Sequence, residues 1–251
     1  MTPPTILRPL LGFGIFSAVW AAALPPVPPG PIAEKKELLF SDDFQGVEPS
    51  KLWHRVVPSF AVTNGALKGT QTRDKDVTGA DGKVTKAHAA VHGLELPTRD
   101  SVLEVKIRFE GAAMIDVEFD DRKYTNAHYG HLCRAQFRTN GVTIIDERDG
   151  GMRNDIRAMA GDPARAAERA KLLLGRQITY PFRMEPGKWH AVAIETAGGA
   201  MRVSVNGAPA AYLNSSGIGH PTKSKLEFGV AGKDGFFDDL KIWNASPAAA
   251  P

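Results

Sequence analysis

The chain has 251 residues, 43% of them hydrophobic and 24% charged, enough to bury a large core in one domain. Its 31 lysines and arginines against 28 acidic residues give a net charge of +3, too little to support nucleic-acid binding. Cys133 is the single cysteine, so an internal disulfide is excluded.

The opening stretch, MTPPTILRPLLGFGIFSAVWAAALPP, sets one basic residue, Arg8, before an apolar run and Ala21-Ala22-Ala23. That is the layout of a secretory signal peptide over residues 1–23. A secreted or periplasmic protein with no membrane span after cleavage is expected, an uncleaved N-terminal anchor being the alternative. Residues 24–36 are proline-rich and then charged, and read as an extended, solvated linker. The folded domain is expected over 37–245, with a disordered tail at 246–251.

From ELLFSDDF onward, short alternating apolar and polar runs are separated by turn signals, among them Asn64-Gly65, Asp81-Gly82, Asn140-Gly141 and Asn206-Gly207. Asn or Asp before Gly accepts positive φ at little cost, so these are hairpin turns. The pattern predicts strands at about 37–44, 59–63, 66–70, 87–94, 101–110, 113–120, 131–138 and 141–147. It continues with 178–184, 188–196, 200–206, 208–213, 225–231 and 235–243. One helix is predicted over about 162–175, where Asp162 caps, Pro163 takes the first turn and Gly175 terminates. The result is an all-β sandwich with one inserted α-helix.

Within the strand at 113–120, Ile115, Val117 and Phe119 point to one face, and Asp116, Glu118 and Asp120 point to the other with Met114. One face meets a core; the other is either plain solvated surface or a binding cleft. Mutual repulsion among three carboxylates calls for a cationic partner, and His131 or Arg134 would supply it if the strand at 131–138 pairs alongside. Tyr124, His128 and Tyr129 follow closely. They add the planar and hydrogen-bonding groups that saccharide recognition uses, so Asp120, Tyr124, His128, Tyr129, His131 and Arg134 are the candidate binding residues.

Other motifs are weaker. Trp53, Trp189 and Trp243 lie in apolar strand patterns and are expected in the core. His88 and His92 share a strand face, yet about 13 Å of strand separates their backbones, so surface or groove lining is expected rather than a shared metal. Asp74, Asp76 and Thr78 before Gly79 imitate an EF-hand loop, but its twelfth position is Thr85. No metal or cofactor is therefore expected, calcium being the only alternative. Cys133 reads as a buried small side chain.

The two ends of the domain carry a resemblance. LLFSDDFQG, KLWHRV and FAVTNGALKG near the start, GKWHAVAIETAGGAMRVSVNGAPAAYL later, and KLEFGVAGKDGFFDDLKIWNA at the end are similar to bacterial concanavalin-A-like (LamG-like) jelly-roll sandwiches. The likeness is particularly to the secreted 3-keto-disaccharide hydrolase and family-16 glycoside hydrolase-like group. It covers about residues 37–245 and implies that the first and last strands lie side by side. Within it, MIDVEF resembles the family-16 catalytic strand, Glu-x-Asp-x-Glu before a bulky apolar residue. Asp116 then matches the central aspartate and Glu118 the acid/base. Met114 stands where the nucleophile glutamate belongs, and a thioether cannot do that carboxylate's work. The resemblance implies a carbohydrate or glycan partner. It leaves three functions open: a glycan-binding module using the carboxylate face, a glycoside-cleaving enzyme of the 3-keto-disaccharide hydrolase type with Asp116 and Glu118 catalytic, and an envelope scaffold that binds protein.

Overall fold

The computed structural model describes residues 24–249. The expected signal peptide lies outside them. No helix among the described residues is long and apolar enough to cross a membrane.

The strands run β1 (Ala33–Asp42), β2 (Trp53–Val57), β3 (Phe60–Thr63), β4 (Ala66–Thr70), β5 (Val77–Thr78), β6 (Val84–Thr85), β7 (Ala90–Thr98) and β8 (Ser101–Asp120). They continue with β9 (His131–Arg138), β10 (Gly141–Asp146), β11 (Gln177–Pro181), β12 (His190–Ala197), β13 (Ala200–Val205), β14 (Ala208–Asn214) and β15 (Lys223–Pro247). Helices α1 (Asn154–Ala158) and α2 (Ala166–Leu172) lie between β10 and β11. Asp162 accepts from the Ala164 amide and Pro163 opens a 3₁₀ turn leading into α2, as the sequence predicts. The expectation of a single helix needs correction: α1 is a further turn, short enough to leave no periodic signature.

Two antiparallel layers face each other, and β8 and β15 belong to both. Paired along their whole length, they cross from one layer to the other at register shifts around Gly111–Ala112 and Ala231–Asp234. Bulges of this kind let a strand turn a corner between sheets. This explains why the sequence pattern broke each of them into two shorter strands. The front layer is β2–β7–β15–β8–β9–β10–β11, using the late part of β8 and the early part of β15. The back layer uses the other halves with β1, β4, β12, β13 and β14.

Between the layers, alternate residues of the central strands are apolar and buried, for example Leu103, Val105 and Ile107 on one half of β8 and Ile115, Val117 and Phe119 on the other. Phe228 and Phe237, from the two halves of β15, stack at 4.2 Å. β1 pairs with the end of β15 from Ala33↔Pro247 to Asp42↔Leu240, which places the two chain ends side by side.

Three placements differ from expectation. β1 begins inside the region read as linker, and the prolines before it are hydrogen-bonded to the sandwich: Arg202 Nε on β13 donates to the Pro28 carbonyl at 2.8 Å and Tyr180 Oη on β11 to that of Pro25 at 2.7 Å. Trp53 is buried, but Trp189 and Trp243 lie half-exposed on the outer side of the back sheet. His92 is neither surface nor groove. It is buried between the parallel rings of Trp53 and Phe60 at 5.0 and 5.1 Å, and burial pushes its pKa down to about 4, so it stays neutral.

Candidate functional site

The outer face of the front sheet is built around Glu118. Its partners across the sheet are Arg134 on β9 and Glu227 on β15, and beyond Glu227 come Gly93 on β7 and His54 on β2. Asp120 lies across from Lys225 and His131, and Asp116 across from Gly229. The alternation read from the sequence thus holds, and the β8–β9 register supplies the expected cations. Met114 shares the face, across from Ala231.

The face is not solvated. Asp116, Glu118 and Asp120 are all buried, because their partners lie flat across them. Arg134 reaches Asp116 at 3.1 Å, Glu118 at 3.0 Å and Glu147 at 2.8 Å. Lys225 Nζ sits 2.9 Å from Asp120 and 2.6 Å from Glu227. The reading of these carboxylates as an open wet face is corrected accordingly: they form the floor of an ion-pair network. Two glycines make room for it. A Cβ on Gly229 would lie 1.9 Å from Asp116 Oδ1, and one on Gly93 would lie 2.4 Å from the His54 ring.

His131 Nδ1 is 2.9 Å from both Asp120 Oδ1 and Glu118 Oε1. A single Nδ1 proton can satisfy only one of them. It goes to Asp120, and Glu118 Oε1, although buried, is left without a well-aligned hydrogen bond. Burial lifts the Glu118 carboxyl to about 7 against the opposing charges of Arg134 and His131. Burial works against the His131 charge, but the hydrogen bond to Asp120 and the close negative charges of Glu118 and Asp120 prevail and hold the imidazolium up to about 10. Asp120 also feels burial, which is outweighed by His131 and Lys225, so its pKa falls. Glu118, Asp120 and His131 therefore titrate as a coupled group, in which burial favours the neutral form of Glu118 and the carboxylates favour the imidazolium of His131.

Ligand atoms of Glu118, Asp120 and His131 lie within 4.8 Å of one another, a spacing that a metal ion could bridge. A divalent ion there would displace the His131 proton and face both Lys225 and Arg134, so the donor set fits a proton better than a metal. In the EF-hand-like stretch, Asp76 holds Lys86 Nζ at 2.7 Å and the Ala87 amide at 2.8 Å, leaving its carboxylate poorly disposed toward a cation.

The rim comes from the 121–130 loop. The loop is closed by the Asp121 amide donating to the Gly130 carbonyl, and tied to the following turn by the His128 amide donating to Met152. Gly130 is packed so closely that a Cβ would lie 2.1 Å from the Asp121 carbonyl. That packing holds Tyr129 in the left-handed region at φ 50°, costly for an aromatic residue, with 79% of its surface exposed. Its ring lies 4.3 Å from His128 and 6.4 Å from His131. Arg122, from the start of the same loop, reaches toward β7 and β2, where it pairs with Glu95 and its NH2 lies 3.0 Å from His54 Nε2.

Of the candidate residues, Asp116, Glu118, Asp120, His131 and Arg134 meet in one network, and the rings of His128 and Tyr129 lie beside it, 6.0 and 6.4 Å from that of His131. Tyr124 does not: it packs edge-on against His220 at 4.9 Å, and His220 in turn bonds Asp121 at 3.1 Å. Sequence reasoning missed Lys225, Glu227, Glu147 and His54. Lys225 and Glu227 carried a signal, since KLEFGV alternates polar and apolar as MIDVEF does. Cys133 is buried behind the network, across from Phe119, and burial pushes its thiol up to about 12.

No family model matches the chain, and no curated protein does. Solved structures do resemble it. A non-specific endo-β-1,3(4)-glucanase from family GH16 matches with TM-score 0.54 at 12% identity, covering 87% of this chain and 97% of its own. An endo-β-1,3-glucanase from Pyrococcus furiosus gives 0.55 at 11% over 87% and 100%, and the laminarinase catalytic domain from Thermotoga maritima MSB8 gives 0.55 at 13% over 84% and 99%. These likenesses establish the fold, a concanavalin-A-like jelly-roll β-sandwich.

Proposed function

We propose that the front face is a glycan-binding site of an exported protein, with Tyr129 as the stacking platform and the Glu118 network as its polar floor. The observation that carries this reading is Tyr129 itself, an exposed ring held in a strained backbone conformation 6.4 Å from the His131 ring of the buried network. Strain of this kind persists only where the surrounding structure enforces it, and it accumulates at ligand sites. Exposed Tyr129 offers a flat apolar surface for a sugar ring, while His128, Arg122 and His54 offer hydrogen bonds at the rim. The fold shared with glucanases is compatible with this ligand class. Glycan-array binding by the mature chain, repeated with Tyr129→Ala, tests it. The variant should lose at least about tenfold in affinity with an unchanged melting temperature. Equal binding by both proteins would remove the site from this face.

A second reading, glycoside cleavage, is favoured by one feature: burial lifts the Glu118 carboxyl to about 7, into the range in which a general acid works. Met114 removes the second carboxylate of the family-16 strand, so retaining hydrolysis through residues 114 and 118 is not expected. Activity on disaccharides and their 3-keto forms that is abolished by Glu118→Gln would establish this reading over simple binding.

A further inference from the structure

The opposite side of the sandwich carries a second constellation. On the outer face of the back sheet, Arg108 lies across from Phe236, and Phe236 across from Lys68. Trp189 immediately precedes His190, the partner of Ile107, which extends the same row by one more strand. The Arg108 guanidinium is stacked between two rings, 4.7 Å from Trp189 and 4.5 Å from Phe236. Its Nε is buried without a hydrogen bond, and Glu110, 3.2 Å from that atom, is its only ion-pair partner among the described residues. Lys68, Arg108, Trp189 and Phe236 line a cleft of about 370 Å³ together with Gln45, Asn64 and Asp238.

The polar groups in the cleft are of both kinds. Gln45 Nε2 is used by the carbonyls of Asp43 and Gly65, which leaves its Oε1 as an acceptor. Asp238 Oδ1 accepts from the Asp239 amide, leaving Oδ2 as a second acceptor. Arg108 and Asn64 supply donors. Donors and acceptors arranged around a half-exposed indole suit a ligand whose every hydroxyl both donates and accepts. A carboxylated or sulfated ligand fits less well, because Asp238 would face its charge and Lys68 is already held by Asp234 at 2.7 Å. The volume is at the small end of ligand pockets, the size of a short saccharide.

We propose that this back-face cleft is a second saccharide subsite, taking a neutral sugar unit against Trp189 between Arg108 and Asp238. It is separate from the front face and does not depend on the reading of that face.

Titration calorimetry and tryptophan fluorescence of the mature chain with laminarihexaose, cellohexaose and maltohexaose, set against a hexagalacturonate, test this. At least one neutral hexasaccharide should bind, and Trp189→Ala and Asp238→Asn should each weaken that event about tenfold or more while leaving the melting temperature within a few degrees. A stoichiometry of two in the wild type, falling to one in Trp189→Ala and to a different one in Tyr129→Ala, would show both faces occupied. A single event lost in Trp189→Ala but kept in Tyr129→Ala would support this cleft and remove the front site. The converse, or binding indifferent to both back-face variants, would overturn it. So would the absence of binding by all three neutral probes, or preferential binding of the hexagalacturonate.

Discussion

Arg134 stands directly across β8 and β9 from Glu118, and its guanidinium holds that carboxylate at 3.0 Å while also reaching Asp116 and Glu147. One cation thus offsets three buried acids. Removing one partner of such a network leaves uncompensated charge in a low dielectric, at a cost of about 3–5 kcal/mol. Arg134→Leu should lose that much in urea denaturation, with Arg134→Lys in between because a lysine cannot fork across three acceptors. A loss below about 1 kcal/mol would mean that the acids already hold protons.

Proton linkage makes stability depend on pH in a stated direction. His131 is raised to about 10 in the folded chain, so its contribution is complete below its unfolded value of 6.5 and is lost as pH rises through 10. Glu118, raised from 4.5 to about 7, acts in the same sense: the folded state binds the extra proton, and the advantage drains away between those two values. Asp120 is depressed and opposes this only at acid pH, where its contribution is lost as pH falls below 3.8. The melting temperature should therefore peak in mild acid and decline by roughly 5–10 °C between pH 6 and 10. His131→Gln should flatten the alkaline limb. A wild-type curve level across that range would refute the assignment.

What the sequence disclosed follows from locality. The two faces of residues 113–120, the Asp162 cap and the β9 cations all rest on short-range periodicity or on a neighbouring strand. The depth of the carboxylates did not show, because it depends on Lys225 and Glu227 a hundred residues downstream. An isolated strand pattern cannot report what lies flat on it. His92 misled for the converse reason: a polar side chain four residues after another histidine looks like surface, and only the folded chain supplies Trp53 and Phe60 as its sandwich. Trp189 and Trp243 failed similarly, since apolar flanks do not say which side of a sheet is the outer one.

The two glycines on the front face should differ sharply in tolerance. At Gly229 the added Cβ meets a buried carboxylate that Arg134 holds in place, so Gly229→Ala must break that pair or shift the strand, and about 2–4 kcal/mol should be lost. At Gly93 the contact is the ring of His54, a third of whose side chain is exposed, and the ring can swing away. Gly93→Ala should cost under about 1 kcal/mol. Comparable losses in chemical denaturation would mean that His54 is as firmly held as Asp116.

The proline-rich segment before β1 is a built part of the fold and not a free spacer. Glu195 and Arg202, adjacent on β12 and β13, form a buried pair on the outer side of the back sheet. Glu195 Oε2 accepts from the Ile32 amide at 2.6 Å, and Arg202 donates to the carbonyls of Pro28 and Pro29 at 2.8 and 3.2 Å. The segment therefore supplies both the cover that dehydrates the pair and the hydrogen bonds that satisfy it. Prolines suit this role because their fixed φ reduces the entropy lost on docking, and their carbonyls remain available as acceptors. A chain beginning at Ala33 would retain β1 but open the pair to water, converting a buried interaction into a surface one of small worth. It should lose about 2–3 kcal/mol relative to a chain beginning at Leu24, and Glu195→Gln should matter less in the shortened chain than in the longer one. The double comparison by urea denaturation separates the hydrogen bonds from simple covering. Equal stability of the two lengths would mean that residues 24–32 rest on the sheet without contributing to it.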